Sequence, residues 1–137
     1  MALLPSGLPD HVDDAEDLAR FLVQSKWFKN GMAKPVAFLP YPKDRETSVS
    51  RHGQEPADRL WAIGLHVAGD RTLYGVALFK ASVVRKEGLE VYPDEPPDFH
   101  AVIRDWPWND SNMTLQKDMQ LAMAQVLASE AKLVIKK

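Results

Sequence analysis

The placement of proline constrains this chain more than any other sequence feature. Ten prolines occur among 137 residues, and they lie between the segments that show regular hydrophobic periodicity. Because proline interrupts helices and central strands, this placement marks the connections between short elements. The sequence contains no linker-like stretch, internal repeat or low-complexity tract. We therefore expect one globular domain over residues 1–137, in which residues 1–11 are extended or disordered.

Composition excludes several classes of function. The 17 basic and 19 acidic residues give a net charge of −2, which argues against binding duplex DNA by bulk electrostatics. Cysteine is absent, so disulfides, thiol catalysis and thiolate zinc sites are excluded. The apolar runs are much shorter than a membrane span, and the first residues lack the basic region of a secretory signal. We expect a soluble cytoplasmic protein with no membrane partner.

Hydrophobic spacing predicts three helices. Asp13 and Glu16 form a pair that resembles a capping box, and the apolar residues after them predict an N-terminal helix over 13–28. Pro56 and Gly69 are placed to begin and end a middle helix. A long C-terminal helix of about 20 residues, capped by Asp110 or Ser111, is predicted to turn an apolar stripe toward the core, with Lys132, Lys136 and Lys137 at its negative end. That stripe consists of Leu115, Met119, Ala122, Met123, Val126 and Leu127.

Short strands are predicted between these helices, because brief apolar or alternating runs are bounded by turn residues. The predicted strands are 36–39, 47–51, 72–79, 89–92 and 99–103, and residues 82–87 fit either a short helix or a strand. The fold class is α+β, a small mainly antiparallel sheet packed by an N-terminal, a middle and a long C-terminal helix. An edge strand of this sheet is a candidate surface for a homodimer.

The first candidate site segment is the polar strand that follows Arg45. In a strand, Arg51 lies on one face, whereas Ser48 and His52 lie on the other. Arginine, hydroxyl and imidazole groups at a strand edge can hold a phosphate or a carboxylate. The alternative is a polar edge strand whose charges only prevent aggregation.

The second candidate segment covers residues 94–108, where two prolines stiffen the chain before His100. His100 and Arg104 share one face if this segment is a strand. Such a pair could combine a general acid or base with a positive charge that stabilises developing negative charge. Glu95 or Asp98 could orient the imidazole, and Glu46 or Glu95 would be an alternative base. The alternative is a histidine that satisfies backbone groups at a strand start, beside an arginine in an ordinary ion pair.

Two tryptophans close the second segment. Trp106 and Trp108 flank a proline, and they could stack on bases or anchor a partner protein. The same residues could instead close the core beneath a loop, with each indole N–H satisfied locally. The core interpretation is the one we favour.

The sequence predicts neither a metal site nor a cofactor. The four histidines do not occur in i, i+4 pairs, and none has a carboxylate at the spacing that metal ligands on a helix require. They are His11, His52, His66 and His100. The seven glycines form no dinucleotide-binding or Walker pattern. A nucleophile elbow is also absent.

Three segments carry a resemblance to a known family. Arg45–Arg51, Leu60–Gly64 and Gly88–Ile103 occur in an order similar to that of a family of small bacterial proteins without an assigned activity. The resemblance covers most of residues 35–130, and the acidic and proline-rich stretch before His100 is its most specific part. It implies a self-standing bacterial domain of an accessory or mobile gene cassette, and no catalytic role is carried over.

Taken together, the two segments favour a phosphate-directed domain that binds a nucleotide or a single-stranded nucleic acid. Its site would combine Arg51 and His52 with His100 and Arg104 across adjacent strands. If the site is catalytic, the expected chemistry is metal-independent phosphodiester cleavage, with one histidine as base and the other as acid. The competing interpretations are a non-catalytic protein-interaction adaptor that uses the Trp106–Trp108 loop and the acidic, proline-rich segment before it, and a carboxylate sensor that uses the same arginines without chemistry.

Overall fold

The computed structural model describes residues 2–51 and 56–136. Its helices are α1 (Ala57–Ala68), α2 (Ala81–Lys86) and α3 (Met113–Glu130), and short 3-10 helices occur at Ser25–Trp27 and Pro35–Phe38. Its strands are β1 (Asp17–Leu22), β2 (Phe28–Lys29), β3 (Met32–Ala33), β4 (Thr47–Arg51), β5 (Gly75–Lys80), β6 (Glu90–Pro93), β7 (His100–Arg104) and β8 (Lys132–Ile135).

Six of these strands form one sheet in the order β6-β7-β4-β1-β5-β8, and β2 and β3 form a separate hairpin. All neighbouring pairs in the large sheet are antiparallel. The α+β fold class with a mainly antiparallel sheet and a long C-terminal helix is therefore confirmed. Within the described ranges, no helix has both the length and the apolar character that crossing a membrane requires.

The two faces of the sheet have different coverings. Register places Ala19, Ser50 and His100 in one row, on the face against which α1 packs; we call this the α1 face. Leu18 and Arg51 lie on the opposite face, which we call the α3 face. That face is covered by α3, by the second 3-10 helix and by the N-terminal segment.

The predicted N-terminal helix over 13–28 is wrong, because this segment contains β1. The expected capping contact does form, since the Asp13 N–H donates to Glu16 Oε2 at 2.9 Å, but it closes a turn that leads into a strand. β1 has neighbours on both sides, and residues 18–23 are all buried. A strand buried on both faces shows no polar alternation, so its continuous apolar run also fits helical spacing.

Two other predictions of local structure need correction. Residues 36–39 lie in the second 3-10 helix and the residue after it, instead of in a strand, and Pro35 begins that helix. The C-terminal helix ends at Glu130, and β8 follows it as an edge strand beside β5. Lys132 and Lys136, which were expected at the negative end of this helix, lie in β8 and directly after it.

The predicted inward stripe of α3 is also largely wrong. Leu115 and Met119 are 45% and 43% exposed, whereas Gln116 and Gln120 are buried. The two glutamines are accommodated by hydrogen bonds to the preceding loop: Gln116 Oε1 accepts from the Asn109 N–H at 2.7 Å, and Gln120 Nε2 donates to the Pro107 carbonyl at 2.8 Å. These partners rotate the helix so that Ala124, Leu127 and Ala128 complete its buried face.

The middle of the chain follows the sequence more closely. β4 covers the predicted residues 47–51, and α1 ends at Gly69, whose φ of 60° suits glycine. Gly64 approaches the sheet closely, because a Cβ built there would lie 2.6 Å from Cε1 of Phe21. The ambiguous segment 82–87 belongs mostly to α2. These elements hold α1 against the sheet and so define one wall of the site described next.

Candidate functional site

A cavity of about 410 Å³ lies between the sheet and α1. Its volume falls within the range of small-molecule sites. The polar residues that line it come from several elements: Arg20, Ser48, Ser50 and His100 from the sheet, Tyr41 from the loop before β4, His66 from α1, and Arg71 from the turn after α1.

The cavity opens where β1 and β4 separate. The registered pairs between these strands are Leu18 with Arg51 and Ala19 with Ser50. Beyond Ala19, the side chain of Arg20 bridges the two strands, and its Nη1 donates to the Ser48 carbonyl at 2.9 Å. A guanidinium therefore takes the place of ladder hydrogen bonds at this point in the sheet.

Arg20 is a buried positive charge, with only 7% of its surface exposed. Its Nε donates to the Ala37 carbonyl at 2.7 Å, and its guanidinium carbon lies 4.7 Å from the ring centroid of Trp27. Burial lowers the pKa of Arg20, while a hydrogen bond with Tyr41 acts in the opposite direction. Among the described residues, no carboxylate forms an ion pair with this guanidinium.

A second arginine lines the same cavity. Arg71 donates from Nε to the Ala68 carbonyl at 3.1 Å and from Nη2 to the Val67 carbonyl at 3.0 Å. These bonds fix its guanidinium at the C-terminal end of α1, and its charge contributes to lowering the pKa of Arg20. The lining residues that the structure describes include no aspartate or glutamate, so the charged groups at this cavity are positive or basic.

His100 is held by Asp94 and lines the same cavity. The side chain of His100 is 19% exposed, and its Nδ1 lies 3.2 Å from Asp94 Oδ2. Nδ1 also lies 2.9 Å from the Asp94 carbonyl oxygen. Because a carbonyl oxygen only accepts hydrogen bonds, Nδ1 carries a proton, and in the neutral ring Nε2 is then the basic nitrogen. His66 supplies a second imidazole to this cavity.

The sequence prediction that Arg51 contributes to the site is wrong. Arg51 lies on the α3 face, and only 1% of its surface is exposed. Its Nε and Nη2 donate to the two carboxylate oxygens of Glu16 at 2.8 and 2.7 Å, and its Nη1 donates to the Pro9 carbonyl at 2.6 Å. These bonds make Arg51 an anchor for the N-terminal segment. His52, its predicted companion, lies outside the described residues.

Glu95 also has a structural role in place of the predicted catalytic one. Its carboxylate accepts hydrogen bonds from the backbone N–H and the hydroxyl of Ser6, at 3.1 and 2.6 Å. It accepts a further one from the Phe99 N–H at 3.2 Å. Glu95 therefore fastens the N-terminal segment to the loop before β7, and the carboxylate beside His100 is that of Asp94.

Arg104 does not join His100, although both residues lie on the same face of β7. They are four positions apart along the strand, a distance of about 13 Å. The Arg104 Nε instead donates to Glu46 Oε2 at 2.7 Å. Arg45 is also occupied elsewhere, since its guanidinium carbon lies 4.4 Å from the ring centroid of Trp108. Neither arginine lines the cavity.

The two tryptophans of the second segment differ in burial, because Trp106 lies in the core and Trp108 lies nearer the surface. Trp106 is 6% exposed, as the core interpretation predicted, but its Nε1 has no hydrogen-bond partner among the described residues. Trp108 is half-buried, and its Nε1 donates to Asp110 Oδ1 at 3.1 Å. Of the predicted site residues that the structure describes, only Ser48 and His100 line the cavity.

The sequence analysis missed Arg20, Tyr41, His66 and Arg71. One signal was present: Arg20 is the single charged residue within the apolar run 18–23, and a charge inside a buried strand requires a particular environment. The described residues contain no group of three or more metal-ligating side chains that could hold a metal ion.

Comparisons with protein-family models, with curated protein sequences and with solved structures found no match to this chain. The resemblance to a family of small bacterial proteins therefore stays a prediction.

Proposed function

We propose that this protein is a phosphate-directed domain that binds the phosphate group of a small ester in the cavity between the sheet and α1. The observation that carries the proposal is the buried guanidinium of Arg20, which has no paired carboxylate among the described residues and lines the same cavity as Arg71. Burying an unpaired charge is costly, and an anionic ligand would offset that cost.

The chemistry of the lining suits a phosphate. Arginine presents a planar fork of donors to phosphate oxygens. The hydroxyls of Ser48, Ser50 and Tyr41 can donate further hydrogen bonds to such a group. The cytoplasm, which we expected from the sequence, is a compartment rich in phosphate esters, and we include that location in the proposal.

A hydrolytic reaction is a second candidate, favoured by the Asp94–His100 pair and the presence of His66 in the same cavity. In this reaction, Nε2 of His100 would accept a proton from water as the water oxygen bonds to phosphorus. The ester P–O bond would break, and protonated His66 would give its proton to the leaving oxygen. Arg20 and Arg71 would stabilise the charge on the phosphoryl oxygens. This is metal-independent phosphodiester cleavage, as the sequence predicted, with His66 in the role given to His52.

The adaptor interpretation is less well supported. Its anchors were Trp106 and Trp108, but Trp106 is buried and Trp108 is stacked with Arg45. Hot spots in partner interfaces are exposed before binding and buried after it. The loop therefore offers no free indole to a partner.

Isothermal titration with inorganic phosphate and ribose 5-phosphate tests the proposal. Arg71→Gln should weaken binding roughly 10- to 100-fold, because it removes charge-assisted hydrogen bonds. Arg104→Gln is the matched control, since it makes the same charge change outside the cavity and should leave affinity unchanged. The proposal fails if neither compound binds the wild-type protein, or if the two variants bind equally well. For the reaction, the wild-type protein should hydrolyse bis-p-nitrophenyl phosphate in the presence of EDTA. The His100→Gln variant should not hydrolyse it under the same conditions.

A further inference from the structure

A second concave surface adjoins the phosphate cavity. It is lined by Arg59, Ala62, Ile63, His66, Pro97, Asp98 and Phe99, and its volume is about 420 Å³. His66 and Pro97 line both cavities. The two cavities therefore adjoin at these residues. We call the two together the cleft, and the second of them the apolar groove.

We propose that the apolar groove binds a planar heterocyclic base, so that the ligand of the whole cleft is a mononucleotide. This inference rests on the proposed function, because it places the phosphate group in the cavity of Arg20 and Arg71. The base would pack against the ring of Phe99 and the apolar wall supplied by Ile63. Bases stack readily on aromatic side chains, and a nearby guanidinium adds to such stacking. The Arg59 guanidinium carbon lies 5.5 Å from the ring centroid of Phe99.

The backbone fixes Phe99 in an unusual conformation. Its φ is 71°, a left-handed value that is uncommon for a bulky residue and strains the backbone. Two hydrogen bonds hold it there: the Phe99 N–H donates to Glu95 Oε2 at 3.2 Å, and its carbonyl accepts from the Arg51 N–H at 2.7 Å. Such strain accumulates where a side chain must be presented in a particular direction. Phe99 lines the apolar groove, and the next residue, His100, lines the phosphate cavity.

Charge orients the ligand along the cleft. Asp98 lines the apolar groove, and its carboxylate would repel a phosphate placed there. The same carboxylate can accept hydrogen bonds from a ribose hydroxyl or an exocyclic amine. The groove pairs this carboxylate with one arginine, Arg59, whereas the first cavity has two arginines and no aspartate or glutamate among its described lining residues. The phosphate group is therefore favoured in the first cavity, and the base in the groove.

Titrations with AMP, ribose 5-phosphate and adenosine test this inference. AMP should bind at least 10-fold more tightly than ribose 5-phosphate. Phe99→Leu should weaken AMP binding roughly 5- to 150-fold, which corresponds to the loss of one stacked base, and should leave ribose 5-phosphate binding unchanged. Tyr92→Leu is the matched control, because Tyr92 is an exposed aromatic residue of β6 outside both cavities. It should alter neither affinity.

The outcomes separate the two proposals. If ribose 5-phosphate binds as tightly as AMP, the base subsite is refuted and the phosphate site stands. If no phosphate compound binds, both proposals fail. Tighter binding of a short single-stranded oligonucleotide than of AMP would refute the mononucleotide in favour of a nucleic acid. Should Phe99→Leu not fold, nuclear Overhauser contacts between the adenine protons and the Phe99 ring in the wild-type protein decide the question, and their absence in a saturated complex would overturn the inference.

Discussion

Replacing Glu16 with glutamine should strongly destabilise the protein. The Arg51 guanidinium that Glu16 neutralises has a fully buried side chain, and the Glu16 side chain is 19% exposed. Removing one member of a buried ion pair costs about 3–5 kcal/mol, because the other charge stays buried without compensation. Glutamine keeps one acceptor oxygen, and the Pro9 carbonyl still accepts a hydrogen bond from Arg51. We therefore expect the free energy of unfolding to fall by about 3 kcal/mol.

That loss is a large part of a total stability of about 5–15 kcal/mol. Urea unfolding followed by the fluorescence of the four tryptophans should show a lower midpoint with an unchanged slope. Asp17→Asn is the control, since Asp17 is one residue away and pairs with Lys80 at 2.7 Å, at a more exposed position. It should cost less than about 1 kcal/mol. Equal losses in the two variants would refute the assignment of Arg51 as a buried anchor.

The pH dependence gives a second measure of the same pair. Burial of Glu16 acts to raise its pKa, but hydrogen bonds from Arg51 and from the Asp13 backbone, together with the charge of Arg51, outweigh burial and lower it. A carboxyl group with a lowered folded-state pKa stabilises the protein above its ordinary pKa of 4.5, and this stability disappears as the pH falls through the folded value. The difference between wild type and Glu16→Gln should therefore be constant near neutral pH and shrink in acid. Replacing both Glu16 and Arg51 with apolar residues should restore much of the loss, because no unpaired charge remains buried.

Four further substitutions test the packing. Gly64→Ala should lower the unfolding midpoint, because the new methyl group would lie 2.6 Å from Phe21. Overpacking costs about 1–3 kcal/mol, which exceeds the gain in helix propensity from alanine. A higher midpoint would contradict the close approach of Gly64 to the sheet. Leu127→Ala should lower the free energy of unfolding by about 2–5 kcal/mol, whereas Leu115→Ala should change it by less than about 0.5 kcal/mol. A larger loss for Leu115→Ala in urea unfolding would mean that α3 buries its other face. Trp106→Phe removes a buried N–H that has no hydrogen-bond partner among the described residues. Calorimetry should therefore find a stability within about 1 kcal/mol of wild type. A larger loss would indicate that this N–H has a partner.

Sequence reasoning succeeded where local signals and the fold agree. β4 and α1 were located because Pro56, Gly69 and the alternating residues 47–51 carry their own boundary information. It failed at β1, where continuous burial on both faces produces an apolar pattern that also fits a helix. It failed again on α3, because Gln116 and Gln120 are buried by hydrogen bonds to a loop. Those partners are set by tertiary structure, which a helical pattern does not encode.

The site was predicted less completely than the fold, for a related reason. His100 and Ser48 were identified because they lie on strands whose alternation the sequence reveals. Arg51 was assigned to the site because its guanidinium suits phosphate, but the same group suits a buried carboxylate equally well, and Glu16 lies 35 residues earlier in the chain. His66 and Arg71 reach the cavity only through the packing of α1 on the sheet.

The guanidinium that bridges β1 and β4 links the strength of the sheet to the recognition that we propose for the neighbouring cavity. If the two strands paired along their whole length, the sheet would gain ladder hydrogen bonds, and the hollow between it and α1 would narrow. Selection for heat resistance alone would therefore favour closing that gap, and we expect the resulting proteins to be more stable but unable to hold the proposed ligand. A search for tougher variants of this domain should leave residue 20 unchanged.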